Sequence, residues 1–496
     1  MRKDISASLA GRVLGAFPCL FGLRDRPLRP LHLWMVNLSL VLFALSVAVS
    51  VHDARYGCSG DLRGVVASAR AMKTGLDPYF YVWKPGMSER LAEYWSIPVK
   101  MTRATYPPSL LWFSSLLGGW SWITIRRVHF LLEELCLLAL ALLLPRSRFH
   151  HNDQSRALSV SLVLVAIGCS PIWRVHLVCG QHYVQIALLL GLALACMERE
   201  RPGWAGFWAA GAMFFRPTMA VVFLPLLMKR QWSAVAGGAV GLALALALSL
   251  PVTGLAVYRS AVRANADWDV VGAQEYISDY VAALPIPPAL RAERPGTPLV
   301  LEGVRRVHLW DPPLEQSYSL LGVSNMLIFA ANRLGAHLHS EPGTDYRLRA
   351  FRIAGALLLL VACVLLVRWR KPIPGALLLL LGIFLAFAAD YMTVSWRTLY
   401  SEVLNVLPFG VLAGLLLDRR LPGFHRWCGY LGSGWALASY MTVPVPEGVH
   451  AWLNAFSWIG PYSALVFFGG AVVYLIRRQE RERPEENIGV GGETVS

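Results

Sequence analysis

Ser233-Ala-Val-Ala-Gly-Gly-Ala-Val-Gly-Leu-Ala-Leu-Ala-Leu-Ala-Leu-Ser-Leu-Pro-Val252 runs for twenty residues without a charge. At about 1.5 Å per residue, an α-helix of that length reaches about 30 Å, the thickness of a bilayer's hydrocarbon core. Hydrocarbon offers no hydrogen-bond partners, so a segment lying in it must satisfy its own backbone, as a helix does. A strand of a membrane barrel would alternate apolar and polar residues, and 240–250 does not. Nine further windows read the same way, at 33–51, 128–144, 158–172, 183–197, 351–367, 374–389, 399–417, 427–442 and 458–476. The 496 residues are 55% hydrophobic and 16% charged, where a soluble domain carries about 25% charge. Mean hydropathy is +0.48. The pattern is that of an all-α polytopic membrane protein.

Net charge is +15. The basic residues gather in short loops beside the apolar windows, as cytoplasmic retention requires, so no nucleic-acid partner is expected. Two segments leave the topology with two solutions: 108–122, which is short and aromatic, and 204–228, which is broken by Arg216-Pro217. With 108–122 at the outer interface and 204–228 a bent hairpin, the clusters at 146–156, 199–201, 229–230, 368–371, 419–420 and 477–478 all fall inside. With both segments spanning, parity still closes but the 146–156 loop moves outside. Both termini are cytoplasmic in either case. The expected organisation is a cytoplasmic segment 1–31, a transmembrane domain 32–476 with outer loops 52–104 and 253–350, and a polar, disordered cytoplasmic tail 477–496. The residues before the first apolar window carry several Arg and Lys and read as a cytoplasmic flank rather than a cleaved leader. Two long outer loops suit a roofed active site, because lids exclude water and position substrate.

The chemistry-bearing residues cluster beside these loops. Gly60-Asp61 opens a stretch of helical spacing that ends at Gly75-Leu-Asp77-Pro78-Tyr79. Asp61 reads either as a carboxylate favouring a helix N-terminus or as a general base at the outer membrane face. Tyr106-Pro107-Pro108 rigidifies the start of the next segment. Ser170-Pro171-Ile172-Trp173-Arg174 and Cys179-Gly180-Gln181-His182-Tyr183 read as a short outer loop. Gly180-Gln181 is either a tight turn with a glutamine cap or part of a site, and a lone histidine such as His182 is more often structural than catalytic. Arg216-Pro217 places an expensive cation at a helix break, and arginine's planar fork of donors suits phosphate. Glu133-Glu134 lie inside an apolar window; neighbours in sequence cannot share one helical face, so one is expected to find a partner, with Arg126 or Arg127 as the simplest choice. Asp390-Tyr391 leads into a short loop whose sole cation is Arg397. The eight cysteines show neither C-x-x-C nor zinc spacing, and no metal or other cofactor is expected.

Taken in order, these motifs resemble the polyprenyl-phosphate-mannose-dependent glycosyltransferases of the GT-C superfamily. The features carrying the resemblance are Gly60-Asp61, Gly75-Leu-Asp77-Pro78-Tyr79, Tyr106-Pro107-Pro108, Pro171 with Gly180-Gln181, Arg216-Pro217, Gln316-Ser317, and Ser395-Trp396 with Pro408, spread over roughly residues 30–420. The resemblance implies a GT-C-like bundle of about 10–12 transmembrane helices with two large outer loops. It also implies an inverting, metal-independent transferase that moves a sugar from a polyprenyl-phosphate donor to a glycan or glycolipid acceptor on the outer face, with a bacterial inner membrane as the setting. By position Asp61 is the catalytic base, with Asp53 in reserve. Donor-phosphate and substrate contacts fall to Arg216, Arg397, Gln181, His182, Arg63 and Tyr106. This chain departs from the family pattern at Arg216, where lysine is usual, at Tyr183, where asparagine is common, and at Arg397-Thr398, where a histidine often follows.

Two other classes compete. A flippase or transporter for a polyprenyl-linked glycan should show a polar path across the bilayer and an inverted repeat, whereas no repeat is found and the ionisable residues concentrate at one face. A non-catalytic envelope-assembly subunit gives Asp61 and Arg216 no reason to converge. The first solution is preferred because it keeps nearly every short cationic loop inside, and it makes a direct prediction: single cysteines at Arg148 and Asn265 should label from opposite sides, Arg148 from the cytoplasm and Asn265 from outside. Cytoplasmic labelling of Asn265 would overturn the topology.

Overall fold

The computed structural model describes residues 30–56, 60–80, 106–271, 346–393, 399–438 and 458–482, with isolated positions between 88 and 91 and between 320 and 336. Arg397, the Ser395-Trp396 and Gln316-Ser317 pairs and most of the 272–345 stretch lie outside the described residues, as does the side chain of Asp53. Every regular element among the described residues is helical, and the chain is an all-α polytopic membrane protein.

The elements in chain order are α1 (Pro30–Tyr56), α2 (Gly60–Lys73), α3 (Pro108–Ser115), α4 (Trp122–Leu143), α5 (Asp153–Ser161), α6 (Pro171–Cys179), α7 (Tyr183–Glu198) and α8 (Pro202–Phe215). They are followed by α9 (Phe223–Met228), α10 (Trp232–Val271), α11 (Tyr346–Arg368), α12 (Gly375–Thr393), α13 (Val406–Leu417), α14 (Gly423–Ala438) and α15 (Ile459–Glu482). Six helices are long and apolar enough to cross a membrane, and α5 with α6 makes a seventh crossing if that pair, bent by 57°, is one span. Three shorter apolar stretches, Tyr183–Glu198, Pro217–Met228 and Ser401–Leu417, complete the apolar set. The windows counted from hydropathy exceed the long helices because hydropathy registers apolar residues, not unbroken helix: 158–172 and 399–417 each contain a break.

Helix α12 is the centre of the bundle, with 72% of its apolar window buried, while α11 keeps only 11% of its window buried and faces outward. The core runs through α12 by Leu377, Leu380, Ile383 and Phe387, and gathers Leu190 of α7, Val222, Phe409 of α13 and Phe467 and Phe468 of α15 around it. Lipid is as apolar as leucine, so close backbone packing rather than water exclusion must bring such helices together. The crossing of α8 and α10 shows how. A Cβ added to Gly206 would overlap the Ala234 carbonyl oxygen, and one added to Gly237 would overlap the Gly203 carbonyl oxygen.

Helix α10 also corrects the sequence reading. The second outer loop was expected from residue 253, but the helix continues to Val271, bending at Pro251 and at Gly254, whose φ is 69°. Proline removes a backbone donor and glycine alone adopts that φ without strain. The Thr253 hydroxyl takes up the Ser249 carbonyl at 3.0 Å, and the Ser249 hydroxyl lies 2.7 Å from that of Tyr258. Beyond the bend α10 packs over residues 60–80: Ser260 donates to Asp77 Oδ2 at 2.6 Å, and Arg263 stands over the Phe80 ring at 5.7 Å. Val65, Met72, Tyr79, Leu110, Leu111, Ala261 and Ala264 bury one another there, a second core built by α2, the chain that follows it, α3 and the arm of α10 beyond its bend. Helix α3 has eight residues, about 12 Å, so it does not cross the membrane.

The α8–α10 crossing yields a test. Gly206→Ala should lower stability by about 1–3 kcal/mol, the scale of overpacking, and reduce the melting temperature in detergent. Gly423→Ala, where an added Cβ meets nothing within 4 Å, should leave it unchanged.

Candidate active site

Asp61 is the second residue of α2 and sits in its first turn, where the helix's N-terminal partial positive charge favours a carboxylate. It is half-buried. The Gln181 side-chain amide donates both to Asp61 Oδ2 and to the Tyr106 hydroxyl, the latter at 3.2 Å. Tyr106 is itself tied down, because the Tyr79 hydroxyl donates to its backbone carbonyl at 2.6 Å. Burial, with Tyr258 and Asp77 adding to it, pushes the Tyr79 hydroxyl well above its ordinary range, so it stays a donor. Asp77 accepts from the Tyr79 backbone N–H at 2.9 Å and from Ser260. Pro107 precedes α3 with ψ at 150° and Pro108 begins it, so the diproline stiffens the chain that carries Tyr106.

Gly180 explains how Gln181 arrives. It closes α6 at φ 70° and ψ 50°, a left-handed C-cap, the conformation that costs other residues about 1–2 kcal/mol. A Cβ there would also meet Leu62 Cβ at 2.5 Å. Only glycine lets α6 end against α2, beside Asp61. The tight turn expected at Gly180 is present, but Gln181 is no cap; its side chain crosses to the other helix. Residues 171–179, read from sequence as loop, are the helix α6, because Ile172, Trp173 and Leu177 form a buried face with His176 among them.

Arg216 leaves α8 in an extended conformation, φ −144° and ψ 105°. Its Nε donates to Asp390 Oδ1 at 2.7 Å, its Nη2 lies 2.6 Å from the same oxygen, and its Nη1 donates to the Tyr183 hydroxyl. Thr218 adds a contact to Asp390 Oδ1 at 3.3 Å. The Asp390 side chain is fully buried and that of Arg216 is 19% exposed. Sequence reading offered Arg216 to a phosphate and left Asp390 without a role. An ion pair was the readable signal, since an acid and a base in apolar segments of one bundle need each other.

His182 lies between the two groups. Its Nδ1 is 3.3 Å from His129 Nε2, and its ring meets those of Tyr106 edge-on and of Phe215 at 5.7 Å. The tripeptide Gln181–Tyr183 therefore reaches Asp61 and Tyr106 at one end and Arg216 at the other. Arg63 is placed over the Trp122 ring, 4.3 Å from its centroid, and ties α2 to the start of α4. Both carboxylates of the Glu133-Glu134 pair are buried and both find partners, against the expectation of one: Glu133 stands between His129 and His176, and Glu134 Oε1 accepts from the Trp173 indole at 3.4 Å. Their positions are about 100° apart, and both fit within a wide buried face. Ionisable groups thus reach well inside α4 and are not confined to one end of the bundle. Among the described residues no group of three or more His, Cys, Asp or Glu has the geometry to hold a metal ion.

Removing one partner of a buried ion pair strands the other charge. Arg216→Ala should therefore destabilise the protein by about 3–5 kcal/mol, whereas Arg216→Leu combined with Asp390→Leu should recover most of the loss in melting temperature. A double variant as unstable as the single would refute the pairing.

Among solved structures, the chain is similar to the oligosaccharyltransferase of Archaeoglobus fulgidus in its apo form, at 14% identity and a TM-score of 0.35, covering 88% of this chain and 56% of that one. It is also similar to ArnT from Cupriavidus metallidurans bound to undecaprenyl phosphate, at 16% identity and a TM-score of 0.33, covering 89% of this chain and 75% of that one. The chain spans about half the length of the oligosaccharyltransferase it matches. No curated protein matches it. The sequence model of a family described as Glycosyltransferase family 87 matches residues 104–282, a little over a third of the chain. That stretch contains Tyr106, Gln181, His182 and Arg216 but neither Asp61 nor Asp390. Over it the chain is similar to a glycosyltransferase family, in agreement with the resemblance its motifs carry.

Proposed function

We propose that the protein is an integral membrane glycosyltransferase that moves a sugar, mannose or another hexose or pentose, from a polyprenyl-phosphate donor to a glycan or glycolipid acceptor, at the outer face of a bacterial inner membrane and without a metal. The observation that carries the reading is the Asp61 carboxylate at a helix N-terminus, held by Gln181, whose neighbour Tyr183 holds Arg216. The glutamine, delivered by a left-handed glycine against the opposing helix, fixes the direction of the carboxylate, as a general base needs. The match to Glycosyltransferase family 87 supports the reaction class.

In this reading the acceptor hydroxyl attacks the anomeric carbon as the carbon–oxygen bond to phosphate breaks. The bonding electrons leave with the polyprenyl phosphate, and the hydroxyl proton passes to Asp61. A single displacement inverts the anomeric centre. The Gln181 amide fixes the Asp61 carboxylate through one oxygen. Negative charge grows on the departing phosphate, so a cation beside it lowers the barrier. Arg216 and Arg397 are the proposed cations. Asp390 orients the Arg216 fork and cancels part of its charge, which makes Arg216 a shaped donor of hydrogen bonds more than a bare charge. His182, Tyr106 and Arg63 complete the proposed substrate-binding set, and Asp53 is the reserve base.

Asp61→Asn removes basicity and keeps size. It should leave melting temperature and donor KM nearly unchanged and lower kcat by about a hundredfold or more, measured with radiolabelled polyprenyl-phosphate sugars in membranes carrying the protein. Asp53→Asn, assayed beside it, should turn over at the parental rate. Parental turnover by Asp61→Asn would place the base elsewhere.

A further inference from the structure

The buried cluster behind the site has no part in the reaction as written. Glu133, on the fourth turn of α4, is buried in the bundle. Its Oε2 lies 3.2 Å from His129 Nδ1 on its own helix, and its Oε1 lies 3.1 Å from His176 Nε2 on α6. The exposures are 1% for the Glu133 side chain, 7% for that of His129 and none for that of His176. Each histidine then touches the tripeptide that carries the site. The far nitrogen of His129 is 3.3 Å from His182 Nδ1, with the rings 4.9 Å apart at 74°. The His176 ring is stacked on Trp173 and meets the Tyr183 ring at 6.3 Å. The backbone of the same turn also depends on His176, whose carbonyl accepts the N–H groups of Gly180 at 3.0 Å and Gln181 at 3.3 Å.

We propose that Glu133 is a positioning residue: its carboxylate, bridging His129 and His176, fixes the two rings that hold the Gln181–Tyr183 tripeptide, and so sets where Gln181 meets Asp61 and where Tyr183 meets Arg216. The inference rests on the transferase reading for its kinetic consequence and on geometry alone for its structural one. A carboxylate buried among apolar residues is costly unless polar groups face it. A leucine would fill the same space in a bundle with lipid around it. The acid's two oxygens face one nitrogen of each ring at ion-pair distance without hydrogen-bond geometry, so they hold the rings by charge and packing, and His129 turns its far nitrogen to His182. Misplacement of a catalytic group by about 1 Å can cost about a hundredfold in rate, which makes a buried brace under a three-residue connection consequential.

The test uses the full chain in nanodiscs, with Glu133→Leu, the isosteric Glu133→Gln and His129→Leu. Hydrogen–deuterium exchange is expected to quicken at the amides of residues 180–183 in Glu133→Leu, while the α13 and α15 amides exchange as in the parent. The kcat for transfer should fall about tenfold to a hundredfold, with donor KM changed less than about threefold. Combining Glu133→Leu with His129→Leu should cost no more in kcat than Glu133→Leu alone, since the His129 ring acts through the carboxylate already removed. Glu133→Gln, which keeps the shape and loses one acceptor, should show the same changes at smaller size, and it carries the test if the leucine variant does not fold. Unchanged exchange at 180–183 overturns the inference, and so does an unchanged kcat in an active protein. A parental protein that transfers no sugar from any polyprenyl phosphate sinks the transferase reading, and the exchange measurement then decides the positioning role by itself.

Discussion

A helix that breaks inside a membrane frees backbone donors and acceptors that lipid cannot satisfy, so every break must be enclosed by protein. The candidate site is built from such breaks. Helix α6 ends at Gly180, α8 ends at Arg216, α10 bends at Pro251 and Gly254, and Leu399–Asn405 winds as a tighter helix before α13. Each break is closed by side chains from another element or from its own. Leu62 packs on Gly180, Asp390 takes Arg216, Ser249 and Thr253 close the α10 bend, and Glu402 accepts from Asn405 at 2.9 Å and from the Tyr391 hydroxyl. Polar chemistry thus accumulates where the helical pattern fails, and the enclosure the membrane demands also shields that chemistry from water.

The three residues between α6 and α7 join two differently made halves. On one side, away from the core around α12, stand the short elements α2 and α3, packed under the arm of α10 and held by Asp77, Ser260 and Tyr79. On the other stands the core around α12, which offers Asp390 and Tyr391 side by side, the first to Arg216 and the second to Glu402. Gln181 belongs to the outer half by its contacts and Tyr183 to the inner half. Asp61 and Tyr106 are thus tied to the turn by Gln181, beside the Leu62–Gly180 and Tyr106–His182 contacts, while the Arg216 pair is anchored to the most buried helix.

Energetically the two halves differ in kind. The inner half holds a buried ion pair, whose net contribution is small but whose disruption is severe. The outer half is held by neutral and singly charged hydrogen bonds, each worth about 0.5–3 kcal/mol, over a modest apolar core.

Apolar runs without charge determined by themselves that this chain forms membrane helices, because a run that does not alternate as a barrel strand does satisfies its backbone in hydrocarbon only as a helix. The same logic made Arg216 conspicuous, and glycine and proline chemistry marked Gly180, Pro107 and Pro108 as points where the chain must turn or stiffen. Asp61 was legible through its position at the start of a short amphipathic stretch. Three things belonged to tertiary structure alone. Asp390 lies 174 residues from Arg216, and no local pattern encodes which acid meets which base. Residues 171–179 form a helix rather than a loop because Trp173 and His176 are buried by other helices, and a polar-looking sequence becomes helical when its partners face it. Glu133 found histidines rather than Arg126 or Arg127 because helix packing brought His176 to its face. Periodicity and solvation act along the chain and can be read there; pairing acts across it and depends on where each helix comes to rest.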